Sequence, residues 1–503
     1  MYAALALLQI FAVAPFLTQD ESAHVDYAVR VAEGHLPEAG TQEGPRYLPG
    51  QPRTGQYVAN HPPLYHAVSG AILRLGIDAH DRDAGFYAAR LLTAAFTLVT
   101  IVLVAALALM VGGRRRAVLA VGAAALTAAF SPLTFASGTI QNDSLAAMFA
   151  TAALVALVRI VLRGSDRWSL AALCGCCALG ALTRATMVPI VAIVAVALVA
   201  AAVIRPDGRP LGSRIATGLA QAGLVVGTTL LVAGWFYVVN IDRYGDPIGG
   251  SVVYANVVDR AREPSSGSIL HFLADPGSWA QLWRQGFGGL PSRNQSSSRS
   301  SAWIAAVAGV LVVAGAITAF VRSARARRGS TPAPRGGSAP RRLLMLTRLS
   351  VAGALVACIA EISVHVTNGG APHGRYLSPG IAALAIGVAA ALLALPFFRG
   401  LGAFFIGLGA QVWASLAFEA GILRRVASLA DATSFDLFSR SLTRNGVPFA
   451  PGVLGALLAI AGVGLATVLV AQWILAQVER CDPTARAPDE IVMLAAPAEV
   501  MSH

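Results

Sequence analysis

The sequence predicts an all-α integral membrane protein of about twelve transmembrane helices, with a helical first external loop. Three observations predict it. Of the 503 residues, 56% are hydrophobic and only 13% charged, where a soluble chain carries about a quarter charged residues. Mean hydropathy is +0.64. Apolar stretches of the length a bilayer needs, about 20 residues each, recur from one end of the chain to the other. This composition excludes a disordered chain, a secreted disulfide scaffold and a cytosolic enzyme with a membrane tag.

In order, the apolar stretches fall near 1–17, 86–111, 117–135, 144–162, 168–183, 186–204, 214–238, 302–321, 346–366, 376–397, 400–422 and 451–474. The first is short, with no basic residue before it. No small-residue cleavage site precedes Asp20-Glu21, so it reads as an uncleaved anchor rather than a signal peptide. Arginine delimits the rest. Arg114, Arg115 and Arg116 follow the second stretch, Arg163 and Arg167 the fourth, and Arg205, Arg209 and Arg214 the sixth. After the eighth come Arg322, Arg325, Arg327, Arg328, Arg335, Arg341 and Arg342, among Gly, Pro and Ser. All 38 basic residues are arginine, and the formal net charge is +12. Strict alternation gathers these clusters on one face, which the positive-inside rule makes cytoplasmic. The basic loop 322–345 and the C-terminal tail share that face, while 18–85, 239–301 and 423–450 fall outside. The expected protein is multi-pass in the cytoplasmic (inner) membrane, its partner the lipid bilayer and not nucleic acid. It divides into a module 1–205, which contains the external loop 18–85, and a second half 206–503.

The five cysteines carry little chemistry. Cys174, Cys176 and Cys177 fall in one span, Cys358 in another and Cys481 in the tail, which suits small-residue packing better than metal binding. The cytoplasmic loops are too short for a nucleotide-binding domain. Neither a Walker A loop nor a strand-linked G-x-G-x-x-G is present, so no nucleotide is expected and an ATP-driven pump is disfavoured.

The outward face is chemically distinct. Nine of the 26 acidic residues lie in 18–85, and every histidine except His503 falls outside or near the outer end of a span. Asp20-Glu21 follows the first span directly. On a helix Asp20, His24 and Tyr27 share one face, and a carboxylate there serves as a general base, a cation ligand or a solvated interfacial acid. Asn60-His61-Pro62-Pro63-Leu64-Tyr65 fixes an extended segment before a short helix, presenting His61 at the surface or simply marking a loop–helix junction. Gln141-Asn142-Asp143 opens the fourth span, where an acid also suits the helix dipole. Arg184 stands on the outer side, against the orientation rule, and calls for an anionic partner. His373-Gly374-Arg375-Tyr376 precedes the tenth span: Arg375 with His373 makes a phosphate clamp or a headgroup anchor. Asp81-Arg82-Asp83 has the D-x-D spacing of nucleotide-sugar transferases, but lies outside and reads as surface charge.

Taken in order, these islands resemble the GT-C class of membrane glycosyltransferases, and within it family 39, the protein O-mannosyltransferase and aminoarabinose-transferase type. An acidic pair after the first span matches Asp20-Glu21. A (Lys/His)-Pro-Pro-Leu-Tyr stretch matches His61 to Tyr65, a Ser-x(5)-Asp pattern matches Ser137 and Asp143, an outer basic residue matches Arg184, and Arg-Tyr-x-x-Pro matches Arg375, Tyr376 and Pro379. The likeness is strongest over 1–205 and thin beyond, apart from 373–379. His61 and Arg184 stand where lysine is usual, which leaves the sugar and the acceptor open.

The resemblance implies an inverting transferase at the outer leaflet, moving a sugar from a polyprenyl-phosphate donor to an acceptor hydroxyl on a glycan, lipid or protein. Asp20 would be the base and Glu21 its catalytic partner. Arg375, Arg184, His61, His373 and Tyr376 would hold the donor phosphate. Asp143, Asn142, His24 and Tyr65 would position the acceptor or the base. Asp20, Glu21 and Asp143 could share one divalent cation, Mg, Mn or Ca. High Ala, Arg and Gly content points to a GC-rich bacterial genome, hence to cell-envelope glycan, glycolipid or protein glycosylation. The rivals are a transporter or flippase of a lipid-linked glycan, which would want polar residues along a whole cavity, and a non-catalytic subunit of the same fold.

Overall fold

The computed structural model describes residues 1–17, 20–42, 44–53, 55–205, 207–249, 269–287, 299–329, 339–367, 373–396, 401–427 and 433–481, and among these there are helices and no strand. Parts of the loops marked out above, 250–268, 288–298, 330–338 with Arg335, and 428–432, lie outside the described residues, as does the tail after Cys481.

Each of the twelve apolar stretches has a helical counterpart, and they differ in length. Among the described residues eight helices are long and apolar enough to cross a membrane, or nine if one bent pair forms a single span. The bent pair is α5 (Arg116–Ala129) and α6 (Ser131–Ser137), which turn by 60° where Pro132 at the start of α6 supplies no N–H to the preceding turn. Three counterparts, α1 (Tyr2–Ala12), α8 (Arg167–Ala181) and Leu401–Ala417, are apolar but 10–17 residues long. The others include α4 (Arg82–Val111), α7 (Asp143–Arg163), α9 (Met187–Ile204) and α10 (Leu211–Tyr244), followed by helices Arg299–Gly329, Ala339–Thr367, Ile381–Ala394 and Ala450–Cys481.

The two ends of the bundle carry different chemistry. At one end arginines close helix C-termini, whose last carbonyls have no partner within the helix. Arg348 donates to the Val111 carbonyl of α4 at 3.1 and 3.2 Å. Arg205 donates to the Ile160 and Val161 carbonyls of α7 at 2.9 and 2.7 Å. Arg115 and Arg322 reach Leu393 and Ala394, the end of Ile381–Ala394, at 3.3 and 2.9 Å. Glu479 completes this end by accepting from the Ala117 and Val118 amides at the start of α5, at 3.2 and 3.4 Å.

The opposite end holds the first loop, which is helical as expected: α2 (Glu21–Ala32) and α3 (Leu64–Asp78) pack together. Gly70 lies so close to the Ala28 carbonyl that a Cβ has no room there. Tyr47, Tyr65, Leu73, Phe86 and Ile140 form one core beneath the two helices, which seats the loop on α4 and on the segment ahead of α7. The Asp81-Arg82-Asp83 run is a helix start: Asp81 Oδ1 caps α4 by accepting from the Ala84 amide at 3.0 Å, and Arg82 donates to the Tyr47 carbonyl at 3.2 Å.

Candidate functional site

The site lies where the first loop meets the starts of α7 and α9 and the 3₁₀ segment Gly374–Gly380. Asp20 opens α2 in a left-handed backbone conformation, φ 75°, which Asp and Asn adopt more readily than other non-glycine residues. Its carboxylate accepts from the Tyr57 hydroxyl at 2.8 Å and from Arg375 Nη2. Arg375 Nη1 donates to Gln141 Oε1 at 3.2 Å, and its Nε is buried without a hydrogen-bond partner, as is Ser378 Oγ. Three residues make one 3₁₀ turn, so Arg375 and Ser378 fall on one side of the segment. Burial alone would raise the Asp20 carboxyl; the Arg375 guanidinium, with Tyr57 and His373, outweighs it and holds the carboxyl below the ordinary aspartate range.

Arg184 forms the second centre. It pairs with Asp143, donates to Thr186 Oγ1 at 3.2 Å and lies 4.0 Å from Glu361 Oε1. Tyr376 joins the two centres, with the Arg184 and Arg375 guanidinium carbons 5.2 and 5.4 Å from its ring centroid. The His365 and His373 rings stand 4.7 and 5.9 Å from the same ring. Asn142 bridges the Thr183 carbonyl at 3.0 Å and His61 Nδ1 at 3.4 Å.

Behind Asp20 the histidines stack into the loop. His24 Nδ1 and His66 Nε2 share a hydrogen bond at 2.9 Å between nearly coplanar rings, 6° apart. Tyr27 lies on His66 at 3.9 Å and donates its hydroxyl to the His61 carbonyl at 2.8 Å. Burial, then the other histidines and the two arginines, pushes His24 well below the ordinary imidazole range. Burial and Arg184 do the same to His61, and burial brings His66 down to about 3. That shift favours the neutral form of His61, the residue expected to hold phosphate, in which one ring nitrogen still donates a hydrogen bond.

Two residues expected at the site are placed elsewhere. Glu21 turns away from Asp20 and is fully buried against Arg90, which donates to its two oxygens at 2.9 and 2.7 Å. The same carboxylate accepts from the Phe16 and Ile140 amides, both at 3.0 Å. A carboxylate so engaged is a structural anchor and not a free base. Tyr65 is buried in the loop core with its hydroxyl 2.7 Å from Thr93 Oγ1. Ser137 likewise donates to the Thr134 carbonyl at 2.6 Å, within its own helix. The expected cation ligands Asp20, Glu21 and Asp143 do not converge, since each meets a different arginine. Among the described residues no three His, Cys, Asp or Glu side chains are placed to hold a metal.

Sequence reasoning missed Arg90, Tyr57, His66 and Glu361. Arg90 and Glu361 had a visible signal: each is an ionisable residue inside an apolar span. Tyr57 and His66 had none.

Residues 60–233 match the family model described as dolichyl-phosphate-mannose-protein mannosyltransferase, in agreement with the resemblance carried by the motifs. No curated protein sequence matches the chain. Among solved structures, the chain is similar to ArnT from Cupriavidus metallidurans bound to undecaprenyl phosphate, at 18% identity and TM-score 0.47, covering 94% of this chain and 76% of that one. It is also similar to the oligosaccharyltransferase AglB from Archaeoglobus fulgidus in complex with an inhibitory peptide and a dolichol-phosphate, at 14% identity and TM-score 0.41, covering 90% and 55%. The described residues are helical, with eight or nine helices long and apolar enough to cross a membrane, as expected of a multi-pass membrane protein.

Proposed function

We propose that the protein transfers a sugar from a polyprenyl-phosphate donor to an acceptor hydroxyl, with inversion at the anomeric carbon, on the outer face of the cytoplasmic membrane. One observation carries the reading: Asp20 and Arg375, distant in sequence, meet at the end of the bundle opposite the arginine-capped one. A base for the acceptor and a cation for the leaving phosphate are the two groups the reaction needs.

The donor arrives in the membrane, its phosphate on Arg375. The unpartnered Nε of Arg375 and the unpartnered Ser378 hydroxyl on the same side of the turn supply donors, and Arg184 supplies further positive charge. Asp20 takes the acceptor proton as the acceptor oxygen bonds to the anomeric carbon. The bond from that carbon to the phosphate oxygen breaks, and its electron pair leaves with the polyprenyl phosphate, whose growing charge the arginine stabilises. Asn142 and the neutral His24 and His61 orient hydroxyls. No step uses a nucleotide. A flippase reading is less well supported, because the candidate carboxylates and arginines, Asp20 with Arg375 and Asp143 with Arg184, lie at one end of the bundle.

The test measures donor binding and sugar transfer in parallel on purified variants. Asp20→Asn preserves size and the tolerance for a left-handed backbone, so the fold and donor affinity should survive while transfer falls roughly 10²–10⁴-fold. Arg375→Ala should lose donor affinity and about 2.7–4 kcal/mol of transition-state stabilisation, with partial recovery in Arg375→Lys, which keeps charge but not the fork. Wild-type transfer by a folded Asp20→Asn protein sinks Asp20 as base. Transfer undiminished in Arg375→Ala removes the phosphate site.

A further inference from the structure

Glu361 is the only acidic residue of the helix Ala339–Thr367, and lies in its last turns beside the site. An ionisable group in a span faces protein or an internal cavity and marks function by default. Here it faces Arg184, but loosely. Its Oε1 is 4.0 Å from Arg184 Nε, whereas Asp143 is in direct contact with the same guanidinium. Its other oxygen, Oε2, is buried and accepts no hydrogen bond. A counter-ion alone would close the gap and use both oxygens, since a buried carboxyl oxygen without a donor is costly. What Glu361 Oε2 lacks is a hydrogen-bond donor.

The neighbouring groups say which donor suits. The Thr186 hydroxyl already serves Glu361 as one hydrogen-bond donor and Asp143 is close enough to act on its charge, and Tyr237 of α10 borders the same space. The Tyr237 hydroxyl is already engaged with the Ala181 carbonyl at 2.8 Å. The Arg184 and Arg375 guanidinium carbons lie 5.2 and 5.4 Å from the centroid of the same ring, that of Tyr376, so the two cations border one space. A phosphate on Arg375 whose sugar turns towards Arg184 brings that sugar beside Glu361. Two carboxylates and one arginine border that position, which favours neutral hydroxyls and opposes a further anion.

We infer that Glu361 is a sugar-contacting residue: its free oxygen accepts a hydroxyl of the neutral sugar carried by the donor, and its charge discriminates against uronic-acid donors. The inference rests on the transferase reading.

The experiment measures binding without any acceptor, so that only the donor is sensed. Purified protein in nanodiscs is titrated with bare polyprenyl phosphate, with a panel of polyprenyl-phosphate hexoses and pentoses, and with one polyprenyl-phosphate uronate. The wild type should bind at least one neutral donor more tightly than bare polyprenyl phosphate. Glu361→Gln should keep its affinity for the bare carrier, lose about tenfold or more of the increment due to the sugar, and reject the uronate less. Should Glu361→Gln fail to fold, Glu361→Asp keeps the charge, retracts the oxygen by one methylene and is expected to lose the same increment. An undiminished increment in either folded variant overturns the inference, as does a wild type that gains nothing from any neutral sugar. A wild type that does not bind polyprenyl phosphate at all overturns the transferase reading, and this inference with it.

Discussion

In the proposed reaction Asp20 and the donor phosphate compete for the same guanidinium. While Arg375 holds Asp20, the carboxyl is a weak base, below the ordinary aspartate range. A phosphate that takes over those donors removes the charge that keeps Asp20 acidic, so the base strengthens as the donor arrives. The histidines behind it make a separate prediction about pH. His66 falls from 6.5 to about 3 because burial opposes its charged form, and His24 is lowered too. The folded protein thus refuses protons that the unfolded chain accepts. Their contribution is complete above about 6.5 and is lost progressively as pH falls from there towards the folded values. The thermal midpoint of the purified protein should decline across that window. His66→Gln removes one of the groups, so its midpoint should decline less steeply whatever its starting value. Parallel slopes for the two proteins would show that His66 is not among the groups responsible.

Individual helices are held by ionic and capping contacts that their own sequences only half disclose. Arg90 reaches from α4 to Glu21 and also donates to the carbonyls of Ile10, Val13 and Ala14 at 2.8, 2.7 and 3.3 Å. One guanidinium therefore ties the end of α1 to the start of α2, and Glu21 extends the tie to Ile140 ahead of α7. The acid pair after the first span was legible as a pair, but not the division of labour within it: the turn at Asp20 points one carboxylate at Arg375 and the next at Arg90. The division is testable. Removing one partner of a buried ion pair costs about 3–5 kcal/mol. Glu21→Gln retains some hydrogen bonding, so it should lose part of that, while Arg90→Met should lose all of it and take a donor from three carbonyls. Thermal midpoints should therefore rank wild type, Glu21→Gln, Arg90→Met, and transfer per folded molecule should change little in Glu21→Gln. A Glu21→Gln protein of wild-type stability but without activity would return Glu21 to the chemistry.

At the scale of the whole molecule the fold was legible because a bilayer imposes one length and one polarity on every element. Of the candidate site residues, the structure pairs Asp20 with Arg375 and Asp143 with Arg184, and in each pair both members stood out in the sequence. Partner choice was not legible: a sequence says that a charge in a span needs a counter-charge, but not whether Arg90 finds Glu21 or Asp20. Orientation is the remaining global property, and the arrangement of charges makes it a sharp prediction. Arginine caps the helices at one end, and every candidate functional group occupies the other. Helices joined in alternation leave His35, in the loop after α2, at the site end and Ser165, between α7 and α8, at the arginine end; both are exposed. The positive-inside rule counts arginines in short loops, so the arginine end should be cytoplasmic and the site should face outward, where no nucleotide sugar is available. Single cysteines at these positions, His35→Cys and Ser165→Cys, report it in a variant whose five native cysteines are replaced. A membrane-impermeant thiol reagent should label His35→Cys in intact cells and Ser165→Cys only after permeabilisation. The reverse pattern would turn the site towards the cytoplasm, where soluble nucleotide sugars compete as donors, and would remove the physical reason for a lipid-borne one.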